Sequence, residues 1–289
     1  MAGLWGDTTA RTSCSSEYRE ICYYWSMNKE TLVVYHRCGG KTLGYPPNTI
    51  ITAEWARDFG AKAIEYDVAI AKDGDSFKVF VIEPRLLNEA GLDINNLEWS
   101  DVQQLNAGNE RFGHQPAPLL QDMIDAIDSE QVAHQVQIKG QHPASVKEVL
   151  AVAKSAQNYI ITAFDRNVIR EIKSLDENVR VGWLVKPDQG GGDEGGVDLT
   201  AKLVTEADSL EGYTDEEIAE ILDIAKEDDV DIVLLCGPRI KDKALVRRVK
   251  DLGFEIGAWG VATSTALAKQ LIELKLDRFT LDNPEQLGY

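Results

Sequence analysis

Two carboxylates stand two residues apart in an otherwise apolar segment of the chain. Glu65 and Asp67 lie within the run 63–68, whose branched residues predict a strand. Side chains at i and i+2 leave a strand on the same side, so both carboxylates point one way. Like charges held together in an apolar environment repel strongly unless a cation lies between them, and a hard divalent cation prefers oxygen ligands. The alternative, a solvated strand face, is disfavoured by the apolar neighbours Ala63 and Ile70.

A cationic group precedes this acidic pair. The apolar run 33–35 predicts a buried strand, which stops at His36 and Arg37 and is followed by Cys38 and paired glycines. A guanidinium and exposed backbone N–H groups suit an anionic oxygen, most often that of a phosphate. The sequence therefore predicts a cation bound beside a phosphate. We expect Cys38 to be a small buried residue, with a reactive thiol as the alternative.

Composition limits the class of protein. The chain has 289 residues, 44% of them hydrophobic, enough for one barrel or two domains. Its formal net charge of −18 disfavours nucleic acid and anionic membranes as partners. The four cysteines show no zinc-ligand spacing. Because the chain has neither a long apolar run nor an apolar start, we predict no transmembrane segment, no secretory leader and a cytoplasmic location. The sequence indicates no oligomeric state.

The start of the chain predicts a separate segment. Residues 1–30 are rich in aromatic side chains, and we expect 15–27 to form a short helix that covers the bottom of the fold. Farther on, Asn48 is expected to cap a helix that runs through Phe59, and Gly60 is expected to end it.

A hairpin and a long insertion follow the second predicted strand. The runs 61–71 and 77–83 are separated by a tight turn, too short for a crossover helix, so they should pair antiparallel. This pairing places Glu83 near the second strand. The segment 84–115 is mostly polar and irregular, and we place the whole insertion at about 69–117, on the same side as the site.

Strands and helices alternate through the rest of the chain. The predicted strands are 132–139, 159–163, 179–185, 230–235, 254–259 and 277–281. The predicted helices are 118–127, 143–155, 167–174, 215–228, 241–251 and 264–274. With strands that start at Leu32 and Ala63, this gives eight strand–helix units and predicts an α/β fold, a (β/α)8 TIM barrel over 31–289. The glycine-rich segment 189–196 is expected to be a mobile loop, either a lid or a loop without a role.

The carboxyl ends of barrel strands form one surface, where barrel enzymes carry their chemistry. Beyond the groups above, these ends supply Gln137 and Lys139, which are again two residues apart, and Trp259. Basic groups there suit a phosphate, and an indole suits the apolar part of a substrate. The other polar residues at these ends are Asp165, Lys186, Arg239 and Asp282.

In these motifs the chain resembles the glycerophosphodiester phosphodiesterases. The family's His-Arg-Gly, Pro-Glu-Asn-Thr, Ile-Glu-x-Asp and Lys-Asp-Gly motifs are matched in order by residues 36–37, 46–49, 64–67 and 72–74. Its later motifs Ile-Glu-x-Lys, Ser-Phe-Asp, Trp-Thr-Val-Asn and Thr-Asp-Asn-Pro resemble residues 136–139, 163–165, 258–261 and 281–284. The resemblance covers nearly the whole chain.

The resemblance implies a TIM barrel, a divalent cation (Mg or Ca), and cleavage of glycerophosphodiesters to glycerol 3-phosphate and an alcohol, a reaction of lipid metabolism. By position, His36 stands for the family's first catalytic histidine. Arg37 and Lys139 stand for its phosphate-binding residues, and Glu65 and Asp67 for two of its metal ligands.

Three positions depart from the family's pattern. Glu83 stands where the family has its second catalytic histidine, Gln137 where it has the third acidic metal ligand, and Pro47 where it has a glutamate. Either Glu83 takes over the proton transfer, or it reaches the cation and compensates for the neutral Gln137. His114, in the insertion, is a further candidate for the missing histidine.

Three functions remain compatible with these residues. The first is a metal-dependent phosphodiesterase that acts on a glycerophosphodiester or related phosphate ester, with His36 and Glu83 as the catalytic pair and Glu65, Asp67 and Gln137 as metal ligands. The second is an inactive family member that binds a phosphorylated ligand. The third is a barrel reused for lyase or cyclase chemistry on a phosphate or diphosphate ester. Each predicts a small phosphorylated partner.

Overall fold

Parallel strands form the centre of the fold in the computed structural model, which describes residues 30–127, 131–186 and 210–288. The described strands are β1 (Leu32–Tyr35), β2 (Ala63–Asp73), β3 (Ser76–Val81), β4 (Ala133–Ile138), β5 (Tyr159–Ala163), β6 (Val181–Leu184), β7 (Ile232–Cys236), β8 (Glu255–Trp259) and β9 (Arg278–Leu281). All except β3 run parallel, in the order β1, β2, β4, β5, β6, β7, β8 and β9, and β1 pairs with both β2 and β9. The sheet is therefore closed, and the predicted TIM barrel is confirmed.

Helices cover the outside of this barrel. The described α-helices are α1 (Ile50–Phe59), α2 (Pro84–Glu89), α3 (Trp99–Val102), α4 (Leu120–Ile127), α5 (Ser145–Ala153), α6 (Arg166–Leu175), α7 (Asp215–Glu227), α8 (Lys243–Asp251) and α9 (Thr265–Glu273). Their apolar stripes pack on the outward side chains of the strands, as Val168, Ile169 and Ile172 do in α6. None of the described helices is long and apolar enough to span a membrane.

The strand β2 has 11 residues, against 4 in β1 and 6 in both β3 and β4, and it belongs to the barrel and to the hairpin. Its first half pairs with β1 and β4, and its second half pairs antiparallel with β3, from Val68 opposite Val81 to Asp73 opposite Ser76. This confirms the predicted hairpin. Along the first half, Ile64 and Tyr66 enter the core between barrel and helices, so Glu65 and Asp67 leave the strand on the opposite side, toward the barrel interior.

The insertion after the hairpin has a small apolar core of its own, which its polar composition concealed. Phe80 of β3 and Ile82 just after it pack in one buried cluster with Leu87 of α2, with Leu97, which precedes α3, and with Val102 of α3. A few apolar residues of the insertion are enough to complete this core, because the hairpin supplies the rest of it from one face. The strand ends at Val81, and Pro84 occupies the first turn of α2.

Two expectations for the start of the chain have different outcomes. Gly60 ends α1 in the left-handed conformation, with φ of 99°, as predicted. Asn48 does not cap α1, because Thr49 occupies the N-cap position and the Asn48 amide is turned toward Asp67. The predicted helix 15–27 and the loop 189–196 lie outside the described residues, and the division at residue 30 stays a prediction.

Candidate active site

The residues predicted to share one rim do lie together, at the carboxyl ends of β1, β2 and β4. His36 Nε2 lies 3.9 Å from Glu65 Oε2, and Arg37 Nε lies 3.0 Å from Asp67 Oδ2. Lys139 Nζ lies 3.4 Å from Asp67 Oδ1. Both carboxylates are fully buried. The site is thus a set of opposite charges held at the top of the barrel interior.

The backbone after β1 turns sharply to bring its N–H groups to the acidic pair. Arg37 and Cys38 have φ of 50° and 71°, and Gly39 continues the left-handed turn with φ of 77°. Such values are strained for residues other than glycine. The turn lets the backbone N–H of Arg37 donate to Glu65 Oε2 over 2.9 Å. Burial raises the pKa of the Cys38 thiol, which Glu65 raises further, so the cysteine is the small buried residue expected.

The two carboxylates differ in how well their charges are compensated. Burial raises the pKa of Glu65 to about 7, and the neighbouring Asp67 contributes to this, although His36 and the Arg37 N–H act the other way. Burial would also raise the pKa of Asp67, but Lys139 and Arg37 outweigh it and the pKa is lowered. Glu65 is therefore the carboxylate whose charge calls for a further positive partner.

Asn48 is a further, uncharged partner of Asp67. Its side-chain Nδ2 donates to Asp67 Oδ2 and to the Ile82 carbonyl, each over 3.2 Å. Its Oδ1 accepts from the backbone N–H of Asp67 over 3.3 Å. Asn48 is completely buried and left-handed, with φ of 58°. One amide therefore joins the acidic pair to the end of the hairpin.

Gln137 lies between Glu65 and Lys139, and its amide has two orientations with different consequences. In one, Nε2 donates to Glu65 Oε1 over 3.1 Å and Oε1 accepts from Lys139 Nζ over 2.7 Å. In the other, Oε1 faces Glu65 Oε1 over 3.1 Å and Nε2 faces Lys139 Nζ over 2.7 Å, so that two acceptors and two donors oppose each other. Oxygens that share one octahedral magnesium ion lie roughly 3 Å apart, so the second orientation suits a cation between them.

A divalent cation fits this donor set, although the set is weaker than three acids. Asp67 Oδ1 is buried and accepts no hydrogen bond within the described structure. Arg37, Lys41 and Lys139 contact Asp67, Glu83 and Asp282, whereas the ion-pair partner of Glu65 is His36, at 3.9 Å. No group of three His, Cys, Asp or Glu side chains in the described ranges has a metal-site arrangement. A cation held by Glu65 and Asp67 would therefore take the amide oxygen of Gln137 as its third protein ligand.

Asp282, which the sequence placed only at the rim, is the main partner of His36. Its Oδ1 lies 2.5 Å from His36 Nδ1, and its Oδ2 lies 2.9 Å from Lys41 Nζ. Burial would raise the pKa of Asp282, but His36 and Lys41 lower it far below its usual range. Burial likewise lowers the pKa of His36, but Glu65 and Asp282 outweigh it and the pKa is raised. With Nδ1 held by Asp282, Nε2 is the nitrogen on the side of Glu65.

Glu83 contacts the arginine of the site. Arg37 Nη1 donates to Glu83 Oε2, and the backbone N–H of Arg85 donates to Glu83 Oε1 over 3.5 Å. The Glu83 side chain is only 7% exposed. Its place at the end of the hairpin arm is the predicted one, and its partner is the guanidinium.

An aromatic wall borders the pocket at the top of the barrel. The Trp259 ring meets the Phe164 ring edge-on at 5.1 Å and 87°, and Trp259 Nε1 donates to the Val185 carbonyl over 3.1 Å. Lys139 and Lys186 Nζ lie 5.6 and 5.5 Å from the Phe164 ring. The lining consists of His36, Arg37, Gln137, Lys139, Phe164, Leu184, Trp259, Gly260, Ala262 and Thr280.

Three other residues that the sequence offered for the site, His114, Asp165 and Arg239, make none of the contacts described above. His114 is exposed on the insertion. Asp165 caps α6 by accepting from the Asn167 N–H over 2.8 Å. Arg239 binds both carboxylate oxygens of Glu217 at 2.8 Å and stacks on the Tyr213 ring at 4.1 Å. The last two side chains have structural partners.

Comparison with known proteins places this rim in a family. Residues 36–286 match the model of the glycerophosphoryl diester phosphodiesterase family. The chain belongs to this family. A glycerophosphodiester phosphodiesterase of Caldanaerobacter subterraneus is 26% identical over 165 residues, 54% of this chain and 67% of that protein. Because family members are phosphodiester hydrolases, the match supports the hydrolase prediction and gives no support to the lyase alternative.

Solved structures of the family have the same fold. An Oleispira antarctica phosphodiesterase in complex with the product sn-glycerol-3-phosphate has a TM-score of 0.68 at 17% identity, over 91% of this chain and 97% of that one. The glycerophosphodiester phosphodiesterase of Agrobacterium tumefaciens has a TM-score of 0.62 at 18% identity, over 88% and 97%. At these identities the likeness shows the barrel alone. Glycerophosphoryl diester phosphodiesterases generally depend on a divalent cation, in keeping with the donor set above.

Proposed function

We propose that this protein hydrolyses glycerophosphodiesters to glycerol 3-phosphate and an alcohol with Mg or Ca as cofactor. One observation carries the proposal: His36, oriented by Asp282, lies in the same pocket as Arg37 and Lys139. A proton-transfer group beside two phosphate-binding cations is what cleavage of a phosphodiester requires. The ligand of the Oleispira structure, sn-glycerol-3-phosphate, carries a phosphate of the kind that two cationic side chains suit.

Each proposed role follows from contacts. His36 Nε2 exchanges a proton with the attacking or leaving oxygen, because Nδ1 is bound to Asp282. Arg37 and Lys139 hold the phosphate oxygens. Glu65, Asp67 and the Gln137 amide oxygen would hold the cation, which supplies Lewis-acid polarisation of a phosphoryl oxygen when bound. The rings of Trp259 and Phe164 form the wall against which the organic part of the substrate would pack.

The proposal is tested by assaying the full chain with glycerophosphocholine and with a chromogenic phosphodiester. We expect release of glycerol 3-phosphate from the first or of the chromophore from the second, with Mg or Ca present, and loss of that release in EDTA. Recovery on re-adding the ion serves as the control. Binding of glycerol 3-phosphate without turnover of either diester would instead support the non-catalytic alternative.

Replacing Asp282 by asparagine is expected to lower kcat by about 10- to 100-fold, because His36 then loses the carboxylate that fixes its ring and tautomer. KM should change much less, since Asp282 does not line the pocket. Steady-state kinetics on the same diester measures both constants. The matched control is Lys41→Gln, which removes the other partner of Asp282 and should leave kcat within a few-fold. Equal losses in both variants would contradict this role.

A further inference from the structure

Glu83 is engaged by the protein and does not face the pocket. One carboxylate oxygen accepts from Arg37 Nη1 and the other from the Arg85 backbone N–H. The side chain is 7% exposed, and the described residues that line the pocket do not include it. A general acid or base has to reach the reacting atoms, directly or through one water. The contacts of Glu83 therefore point away from proton transfer.

The contacts of Arg37 indicate what Glu83 does. The guanidinium is held at Nη1 by Glu83, and its Nε lies 3.0 Å from Asp67 Oδ2. Within the described ranges, no hydrogen bond or ion pair of Arg37 uses Nη2. The side chain is 29% exposed and lines the pocket. Glu83 thus holds the guanidinium by a hydrogen bond at Nη1, and Asp67 holds it by an ion pair at Nε. A guanidinium restricted in this way binds a phosphate oxygen at a lower entropic cost.

This assignment leaves one proton-transfer group at the pocket. Among the described lining residues, His36 is the one imidazole, and because its Nδ1 is bound to Asp282, Nε2 is the ring nitrogen left for proton transfer. If His36 accepts the proton of the attacking hydroxyl or water, it cannot in the same step protonate the departing oxygen. Loss of a general acid slows departure of an alkoxide far more than departure of an oxygen that is stable as an anion.

We infer that Glu83 is a positioning residue for Arg37, and that the site favours phosphodiesters whose leaving oxygen is an aryl oxygen over alkyl diesters. The inference rests on the proposed function. In the step, the nucleophile's oxygen bonds to phosphorus and its proton passes to His36 Nε2. The bond from phosphorus to the leaving oxygen breaks, and that oxygen departs as an anion that is later protonated by water.

The test is a leaving-group series: glycerol phosphate diesters of substituted phenols together with one alkyl diester, assayed on wild type, Glu83→Gln and the exposed control Glu89→Gln. In wild type, kcat/KM should fall steeply as the leaving group becomes more basic, with the alkyl diester slower than the best aryl diester by at least roughly 10²-fold. Glu83→Gln should leave that slope unchanged and raise KM and the Kd of glycerol 3-phosphate roughly tenfold. Glu89→Gln should change neither constant.

Other outcomes separate this inference from the proposed function. A shallow slope in wild type that becomes steep in Glu83→Gln would make Glu83 the general acid and overturn the inference, while the proposed hydrolysis stands. Equal turnover of alkyl and aryl diesters by both proteins would overturn leaving-group selectivity. No turnover of any diester would overturn the proposed function and the selectivity with it. The role of Glu83 is then decided by glycerol 3-phosphate binding alone: an unchanged Kd in a folded Glu83→Gln variant rejects it.

Discussion

Replacing His36 by glutamine is expected to reduce hydrolysis of a phosphodiester by about 10²- to 10⁴-fold, the usual contribution of a general acid or base. Glutamine has nearly the reach of histidine and can still bind Asp282, but it does not accept or release a proton near neutrality. The loss should fall on kcat, with KM nearly unchanged, because Arg37 and Lys139, the proposed phosphate-binding residues, still line the pocket. Steady-state kinetics on a chromogenic diester measures both constants.

The same substitution at His114 is the matched control. His114 is exposed on the insertion, and it was the other histidine that the sequence offered for the catalytic pair. We expect His114→Gln to retain activity within a factor of a few. A large loss in His114→Gln with little loss in His36→Gln would assign the proton transfer to the insertion and would remove the basis of the proposed function.

The pattern of apolar runs was sufficient to predict the barrel, because each parallel strand is buried on both faces and reads as a short apolar segment between helices. The strand β7 is an example, since all five of its residues are buried. The side on which Glu65 and Asp67 lie followed from the two-residue repeat alone. Closure of the barrel then brought His36 and Lys139 to the same rim.

Contacts between distant strand ends could not be predicted in this way. His36 and Asp282 are 246 positions apart, and their hydrogen bond depends on the closing pair of β1 and β9. The signal was present, because Asp282 ends the last strand, but several polar residues end strands and only geometry separates them. The side chain of Asp165, at a similar position, caps α6 instead.

The predicted role of Asn48 as a helix cap was wrong because of its backbone conformation. Asparagine before an apolar run is a common helix cap, yet Asn48 adopts φ of 58° and directs its amide to Asp67. Asparagine is one of the few residues that tolerates this conformation, so the sequence was compatible with both roles. The burial of Asp67 favours the second role, a hydrogen bond to Asp67, over capping of α1. A buried carboxylate without hydrogen-bond donors is costly, whereas the N–H groups of a helix N-terminus can also be satisfied by water.

Gln137 is the position at which this chain differs most from a strong metal site, and Gln137→Glu is expected to tighten binding of Mg or Ca by at least about tenfold. The substitution keeps the length of the side chain. It replaces an amide, which can turn its NH2 to Glu65 over 3.1 Å, by a carboxylate that has oxygens in both orientations. Without a cation, the added charge beside Glu65 and Asp67 is repulsive, so the variant should also gain thermal stability when the ion is added.

Isothermal titration calorimetry of the metal-free protein measures this affinity without reference to turnover. Gln141→Glu is the matched control, because it adds the same charge on a nearby exposed loop, where Gln141 Nε2 lies 3.3 Å from Asp165 Oδ2 rather than near the acidic pair. We expect its affinity for the ion to stay within about twofold of wild type, since an exposed charge is screened by water and salt. Equal tightening in both variants would show that overall charge attracts the ion. If Glu65 and Asp67 form a cation site, a third carboxylate beside them has to strengthen it. No tightening in a folded Gln137→Glu variant would therefore show that they do not form such a site.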